Sequence, residues 1–205
     1  MARYHGPKAR INRRLSTMVF ESSGAARAAG RRENPPGMHV KGGGGRRMSN
    51  YGLAAAEKQK IKYYYGIAEK QLRRFFANAS AQKGNTGENL MTICERRLDN
   101  VVRRAGYTRT RPQARQGIVH GHFFVNGVKV TSPSYQLRPG DVITVRANEA
   151  IYNVYKEAST NSSTTPPDWV TFDNETLRAT VQRIPGPGDY SLPANVNIVV
   201  EFLSR

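Results

Sequence analysis

Residues 90–106 read Leu90-Met91-Thr92-Ile93-Cys94-Glu95-Arg96-Arg97-Leu98-Asp99-Asn100-Val101-Val102-Arg103-Arg104-Ala105-Gly106, and this stretch decides the fold. Leu90, Ile93, Cys94, Leu98, Val101, Val102 and Ala105 recur at three- and four-residue steps, so they share one helix face. Arg96, Arg103 and Arg104 fall on the other face. Gly106 stands where a left-handed residue closes a helix. A single amphipathic helix is therefore expected here, apolar toward a core and basic toward the outside.

Downstream, Thr110 is suited to cap a short helix with Pro112 in its first turn, ending at His120-Gly121. Phe123 and Val125 then face Val128 and Val130 across Asn126-Gly127, a dipeptide that favours a tight hairpin. The turn Leu137-Arg138-Pro139-Gly140-Asp141 leads into a strand over 142–145. Residues 95–157 thus read as one small module of helices and antiparallel strands.

Upstream, residues 48–94 carry helical spacing, with Ser49 or Asn50 as a cap, a break at Gly66 and a second stripe from Ile67 to Ala79. Thr86 can cap the following helix. Residues 1–47 are poor in apolar side chains and contain the run Gly42-Gly43-Gly44-Gly45, so an extended basic arm that orders on a partner is expected. Residues 158–205 begin with a polar loop over 158–168 and continue with β-like runs at 170–172, 180–184 and 198–202. The expected class is α+β: a mainly helical first domain (48–94), an inserted module (95–157), a basic arm (1–47) and a C-terminal segment (158–205).

The chain of 205 residues carries 32 Lys and Arg against 15 Asp and Glu, a formal charge of +17, which calls for a polyanionic partner. Basic residues outnumber acidic ones 11 to 2 in residues 1–47, 7 to 3 in 48–94 and 11 to 5 in 95–157, but the ratio falls to 3 to 5 in 158–205. Contact with a polyanion is accordingly expected in the first three quarters. No run of 18 apolar residues exists, so no membrane partner is expected. A single cysteine, Cys94, excludes an internal disulfide and a Cys-rich metal site, and points to a reducing compartment such as the cytoplasm or an organelle interior.

The residues expected to carry function are basic. In the arm they are Arg3, Lys8, Arg10, Arg13, Arg14, Arg46 and Arg47. In the helical region they are Lys58, Lys60, Lys62 and Arg73, though the three lysines alternate too quickly to share one face. In the module Arg103, Arg104, Arg109, Arg111 and Arg115 fall within 13 residues, joined by His120. Arginine offers a planar fork of donors to phosphate oxygens and a face that stacks on bases. Cys94 lies on the apolar stripe and reads as core, Tyr63, Tyr64 and Tyr65 could stack on bases or pack a core, and Walker spacing is absent around the glycine run.

Arg97-Leu98-Asp99-Asn100-Val101-Val102, Arg111-Pro112-Gln113-Ala114-Arg115-Gln116, Val125-Asn126-Gly127 and Arg138-Pro139-Gly140-Asp141 resemble the RNA-binding module named after ribosomal protein S4. Outside the module, Arg3-Tyr4, Gly6-Pro7, Arg13-Arg14, Glu57-Lys58-Gln59-Lys60, Tyr65-Gly66-Ile67, Lys83-Gly84-Asn85-Thr86-Gly87-Glu88 and 199–205 resemble the ribosomal S4 family itself. The resemblance implies a structural ribosomal protein of a bacterial or organellar small subunit, one copy per 30S particle. It further implies direct binding to 16S ribosomal RNA in the 5′ domain, nucleation of subunit assembly, contact with protein S5 affecting decoding accuracy, and proximity to messenger RNA at its entry channel. It implies that the C-terminal segment returns to the helical domain. Some members bind zinc through N-terminal cysteines; Ala9 and Asn12 stand here at matching positions, so no metal or other cofactor is expected. The competing class is an RNA-modifying enzyme, or a free RNA-binding regulator, carrying the same module; an enzyme would need a catalytic domain for which no constellation is present.

Overall fold

The computed structural model describes residues 4–31, 34–37, 48–161 and 165–204. In chain order its elements are α1 (Lys8–Leu15), α2 (Ser23–Arg31), α3 (Asn50–Tyr64), α4 (Glu69–Ser80), α5 (Thr86–Glu95), α6 (Leu98–Arg104), α7 (Arg111–Val119), β1 (Phe123–Val125), β2 (Val128–Lys129), β3 (Val142–Val145), α8 (Glu149–Thr160), β4 (Val170–Asp173), β5 (Arg178–Val181) and α9 (Val196–Ser204). They form two compact units, residues 1–87 with 192–205, and residues 88–191.

In the first unit the basic segment is not extended throughout. Residues 8–31 form α1 and α2, which bury Ile11, Leu15 and Ala25, with Val19 buried between the helices. Asn12 fixes the turn between them: its Nδ2 donates to the Phe20 carbonyl (2.9 Å) and its Oδ1 accepts from the Phe20 N–H (3.0 Å). Tyr4, Phe20 and Tyr63 form a ring cluster, with centroids 5.4–6.0 Å apart. The apolar residues that build this pair are few and small, which is why composition alone reads as an arm. The Gly42–Gly45 run lies outside the described residues.

The run at 198–202 expected as β-like is part of helix α9. Its β-branched residues favour strands intrinsically, but packing overrides that preference. Val199 is buried, the Phe202 ring lies 5.4 Å from Tyr51 of α3, and the Asn195 N–H donates to Glu57 Oε2 (2.9 Å).

The second unit is built on one antiparallel sheet in the order β2-β1-β3-β5-β4. Asn126 (φ 51°) and Gly127 (φ 78°) both take the left-handed region, as the expected hairpin turn requires. Residues 158–191, expected in the returning segment, group with this unit instead, because β5 pairs with β3 and extends the module's sheet. Only 192–205 group with the N-terminal helices. The helix expected across 90–105 is two helices, α5 and α6, interrupted at Arg96-Arg97. Arg97 takes extended backbone (φ −65°, ψ 137°) and bridges to Gln136. Residues 149–160, not anticipated as helix, form α8, whose cap Asn148 accepts from the Ile151 N–H (3.1 Å).

The core of this unit joins Leu98, Val101 and Val102 of α6 and Ile118 of α7 to Phe123, Ile143 and Ala179 of the sheet and to Trp169. Tyr107 crosses it, its hydroxyl donating to the carbonyls of Leu177 (2.9 Å) and Ile143 (3.1 Å). Gly117 on α7 is seated so tightly that a Cβ there would run into the Tyr155 hydroxyl and come within 3.1 Å of Phe123. Gly117→Ala should therefore destabilise this unit by about 1–3 kcal/mol through overpacking. Gly30→Ala, on α2 with nothing within 4 Å of the new Cβ, should stabilise the first unit by about 0.5–1 kcal/mol. Urea unfolding resolved by amide exchange checks both signs.

Candidate nucleic-acid interface

The break between α5 and α6 is held by side chains. Arg97 is wholly buried, and its Nε and Nη2 donate to Asp99 Oδ1 (3.0 Å) and Oδ2 (2.7 Å). From α7, Arg115 Nη1 donates to the same Oδ2 (3.2 Å). Asn100, also buried, donates from Nδ2 to the carbonyl O (2.9 Å) and Oε2 (2.6 Å) of Glu95. Asn100 Oδ1 accepts from Arg111 Nε (2.9 Å). Arg104 Nη1 donates to Glu95 Oε2 (3.2 Å) and to the Asp189 carbonyl (2.6 Å). Ser191 completes the set, donating from N (3.1 Å) and Oγ (2.9 Å) to Glu95 Oε1.

Two carboxylates and one carboxamide thus orient the four guanidiniums of Arg97, Arg104, Arg111 and Arg115. Four positive groups around two negative ones leave the cluster net positive. Burying such groups is tolerable only when they are paired and hydrogen-bonded, which this arrangement provides. The expected basic face is divided by it. Arg104, Arg111 and Arg115 are anchored inward, because the packing of α6 on α7 turns those positions toward Glu95, Asp99 and Asn100. Arg109 is exposed and Arg103 half-buried. Thr110 caps α7, accepting from the Gln113 N–H (3.4 Å), while Gln113 Oε1 accepts from the Arg109 N–H (3.2 Å).

At the other end of α7, His120 is exposed, with Nε2 at 2.7 Å from Gln116 Nε2 and its ring 5.8 Å from that of His122. His122 Nδ1 lies 3.0 Å from the Tyr155 hydroxyl. Burial, then His120 and Arg146, hold the His122 imidazole below the ordinary histidine range, and burial pushes the Tyr155 hydroxyl up to about 12. Lys129 lies over Gly121, and the Arg146 N–H donates to the His122 carbonyl (2.8 Å). Sequence reasoning passed over Lys129 and Arg146. They are remote in the chain and reach Gly121 and His122 only through the pairing of β1 with β2 and β3; the hairpin register was the available signal.

In the first unit the expected lysines are ion-paired: Lys58 with Glu69 (2.6 Å), Lys60 with Glu57 (2.5 Å) and Lys62 with Glu69 (3.2 Å). Burial alone would raise the Glu69 carboxyl, but its bonds to Lys58 and Lys62 outweigh that and hold it below its ordinary value of 4.5. Arg10 and Arg73 are exposed and Lys8 is half-buried. Arg13 Nε donates to the Asn34 carbonyl (2.8 Å), and Arg14 Nη2 donates to Gln59 Oε1 (2.9 Å). Arg3, Arg46 and Arg47 lie outside the described residues. Tyr64 and Tyr65 are buried.

Cys94 is wholly buried, and burial pushes its thiol up to about 12, which leaves it in the unreactive neutral form. Among the described residues no group of three or more His, Cys, Asp or Glu is placed to hold a metal ion. Among the same residues no helix is long and apolar enough to cross a membrane.

Residues 3–95 match the family described as ribosomal protein S4/S9 N-terminal domain, and residues 96–143 match the S4 domain. The chain is 64% identical to small ribosomal subunit protein uS4 of Rhodopirellula baltica, over 100% of both chains. It is 45% identical to the protein of that name from Geobacillus thermodenitrificans and 42% identical to that from Persephonella marina, again over 100% of both chains.

Asp99→Ala removes the carboxylate that Arg97 and Arg115 share and should cost about 3–5 kcal/mol of stability, since a buried guanidinium loses its counter-charge. Arg183→Ala, which breaks an exposed pair with Asp189, should cost far less. Thermal unfolding of the two variants side by side checks the contrast. The first unit should show acid sensitivity traceable to Glu69. A carboxylate held low contributes stability that is full above its ordinary 4.5 and is lost as pH falls through its lower folded value. The stability difference between wild type and Glu69→Gln, measured by urea unfolding from pH 6 down to pH 3, should shrink accordingly.

Proposed function

The chain belongs to the uS4 family of small-ribosomal-subunit proteins, a structural family without catalytic activity, and on that premise we propose that it binds 16S ribosomal RNA directly through the α6–α7 surface. The observation that carries this reading is the net-positive cluster around Asp99 and Glu95. It turns Arg104, Arg111 and Arg115 inward and leaves Arg103 half-buried beside them, with Arg109 and His120 exposed at either end of α7. The net positive charge of the cluster draws a phosphate toward the exposed arginine beside it. Phosphate contacts of this kind set register on a folded RNA rather than reading its bases.

Arg10, Arg13 and Arg14 on α1, with Arg73 on α4, supply further positive charge on the first unit. We propose that the chain acts early in small-subunit assembly by holding RNA of the 5′ domain against these surfaces. Contact with protein S5, an influence on decoding accuracy and proximity to messenger RNA at its entry channel follow from family membership and are part of the same proposal.

Arg103→Ala with Arg109→Ala should weaken binding to the 5′ domain of 16S ribosomal RNA about a hundredfold or more. Charge-assisted hydrogen bonds contribute roughly 1.5–3 kcal/mol apiece, and neighbouring contacts need not add. The plot of log affinity against log salt should become shallower, because fewer phosphates are neutralised. Filter binding at several salt concentrations, with melting curves to verify folding, measures both. Unchanged affinity and slope in the folded variant would place the RNA elsewhere.

A further inference from the structure

Asn126 is the one asparagine in the chain that a glycine follows, and both residues of the pair are exposed between β1 and β2. We infer that Asn126 is a guarded deamidation site: the folded module holds its carboxamide away from the next backbone nitrogen through Asp141 and Val142, and loss of that hold commits the hairpin to an irreversible change. The inference is independent of the RNA-binding reading above.

The chemistry follows from the dipeptide. Glycine has no Cβ to hinder the approach of its nitrogen to the preceding side chain, so an unrestrained Asn-Gly pair reacts with itself. The Gly127 nitrogen forms a bond to Asn126 Cγ, the Cγ–Nδ2 bond breaks, and the side-chain nitrogen leaves as ammonia, carrying the proton that Gly127 gives up. Water then opens the succinimide ring at either carbonyl and leaves aspartate or isoaspartate. Water is the only co-reactant, and it reaches the pair: a Cβ on Gly127 would meet nothing within 4 Å.

The fold opposes the first step. Asn126 Nδ2 donates to Asp141 Oδ1 (2.8 Å), and Asn126 Oδ1 accepts from the Val142 N–H (2.9 Å). The partners fix which end of the carboxamide is which, because a carboxylate only accepts and an N–H only donates. The Asn126 N–H also donates to the Val142 carbonyl (2.9 Å). Both ends of the carboxamide are thus tied to 141–142, and Cγ cannot swing over the Gly127 nitrogen unless both side-chain bonds break. Asp141 is itself anchored: it is buried, and its Oδ2 accepts from the Arg138 N–H (2.7 Å) across the turn in which Gly140 takes φ 88°. The guard is supplied by a turn remote in sequence and exists only while hairpin and turn are docked.

The product cannot restore the hold. Aspartate at this position sets a carboxylate oxygen where Nδ2 stood, 2.8 Å from Asp141 Oδ1, and like charges at that distance repel. Isoaspartate also lengthens the main chain inside a turn whose two residues both take positive φ, which disturbs the register that pairs Val125 with Val128. Either product loosens the hairpin from the start of β3.

The test uses the full chain and follows the peptide containing residue 126 by mass spectrometry, with isoaspartate counted by enzymatic methylation. Folded wild type should deamidate at Asn126 at least about tenfold more slowly than the same chain in urea, because reaction requires local opening. Asp141→Ala removes one charge-assisted bond and should speed the folded-state reaction about tenfold. Gly117→Ala weakens the same unit without touching Asn126 and should stay within about twofold of wild type. Melting curves verify that both variants are folded; the comparison of folded with urea-unfolded wild type needs no variant and decides alone if Asp141→Ala does not fold. Asn126→Asp, the product itself, should exchange its Val142 amide at least about tenfold faster than wild type. A folded wild type that deamidates as fast as the unfolded chain overturns the guard, and so does a folded Asp141→Ala chain that keeps the wild-type rate. Equal acceleration in Gly117→Ala and Asp141→Ala also overturns it, since the reaction would then pass through unfolding of the whole unit. Wild-type amide exchange in Asn126→Asp overturns the consequence for the hairpin.

Discussion

A carboxylate placed inside the protein, Asp99, is the constraint on which the second unit depends. It holds the wholly buried Arg97 by two bonds and receives a third from Arg115 of α7. That pairing lets the chain turn at Arg96-Arg97 instead of continuing as helix. At the turn the backbone finds new partners: the Leu98 N–H donates to the Tyr135 carbonyl (2.9 Å), and the Leu137 N–H to that of Arg96 (3.0 Å). The interrupted helix is thereby tied to the loop before β3, and α6 is aimed across the sheet. Isolated apolar packing would hold α6 on the core without specifying where it begins; the ionic cluster supplies that register.

The same cluster underlies the proposed RNA-binding surface. Glu95, Asp99 and Asn100 fix four guanidiniums without neutralising them. Several other cations are balanced locally. Lys58 and Lys62 meet Glu69, Lys60 meets Glu57, and Arg183 meets Asp189, which holds that aspartate well below its ordinary value. Such pairs have little attraction left for a polyanion. The net-positive cluster and the exposed Arg109 beside it, not the chain's total charge, form the surface on which we propose that RNA is held.

Much of the second unit was legible because its signals are local. Asn126-Gly127 demands positive φ at both positions, Thr110 and Pro112 mark a helix start, and alternation marks β1 and β3. What sequence could not carry was the effect of distant partners. The unbroken periodicity from Leu90 to Ala105 concealed the break at Arg97, whose cause is a side-chain pair inside the fold. The β-branched run of α9 read as strand until its packing on α3 was in view. The helix pair at 8–31 rests on Asn12 clamping Phe20, a contact that no periodicity announces. The five module arginines were recognisable as basic, but which turn inward depends on how α6 packs on α7.

The proposed position of RNA is the α6–α7 surface and not the β4–β5 edge. It is tested most directly by photocrosslinking full-length protein to the 5′ domain of 16S ribosomal RNA. A photoreactive side chain is placed either at the exposed Gln116 of α7 (Gln116→p-benzoylphenylalanine) or at the exposed Glu175 between β4 and β5 (Glu175→p-benzoylphenylalanine). RNA should crosslink to position 116 and not to position 175. Crosslinking from 175 with none from 116 would contradict it.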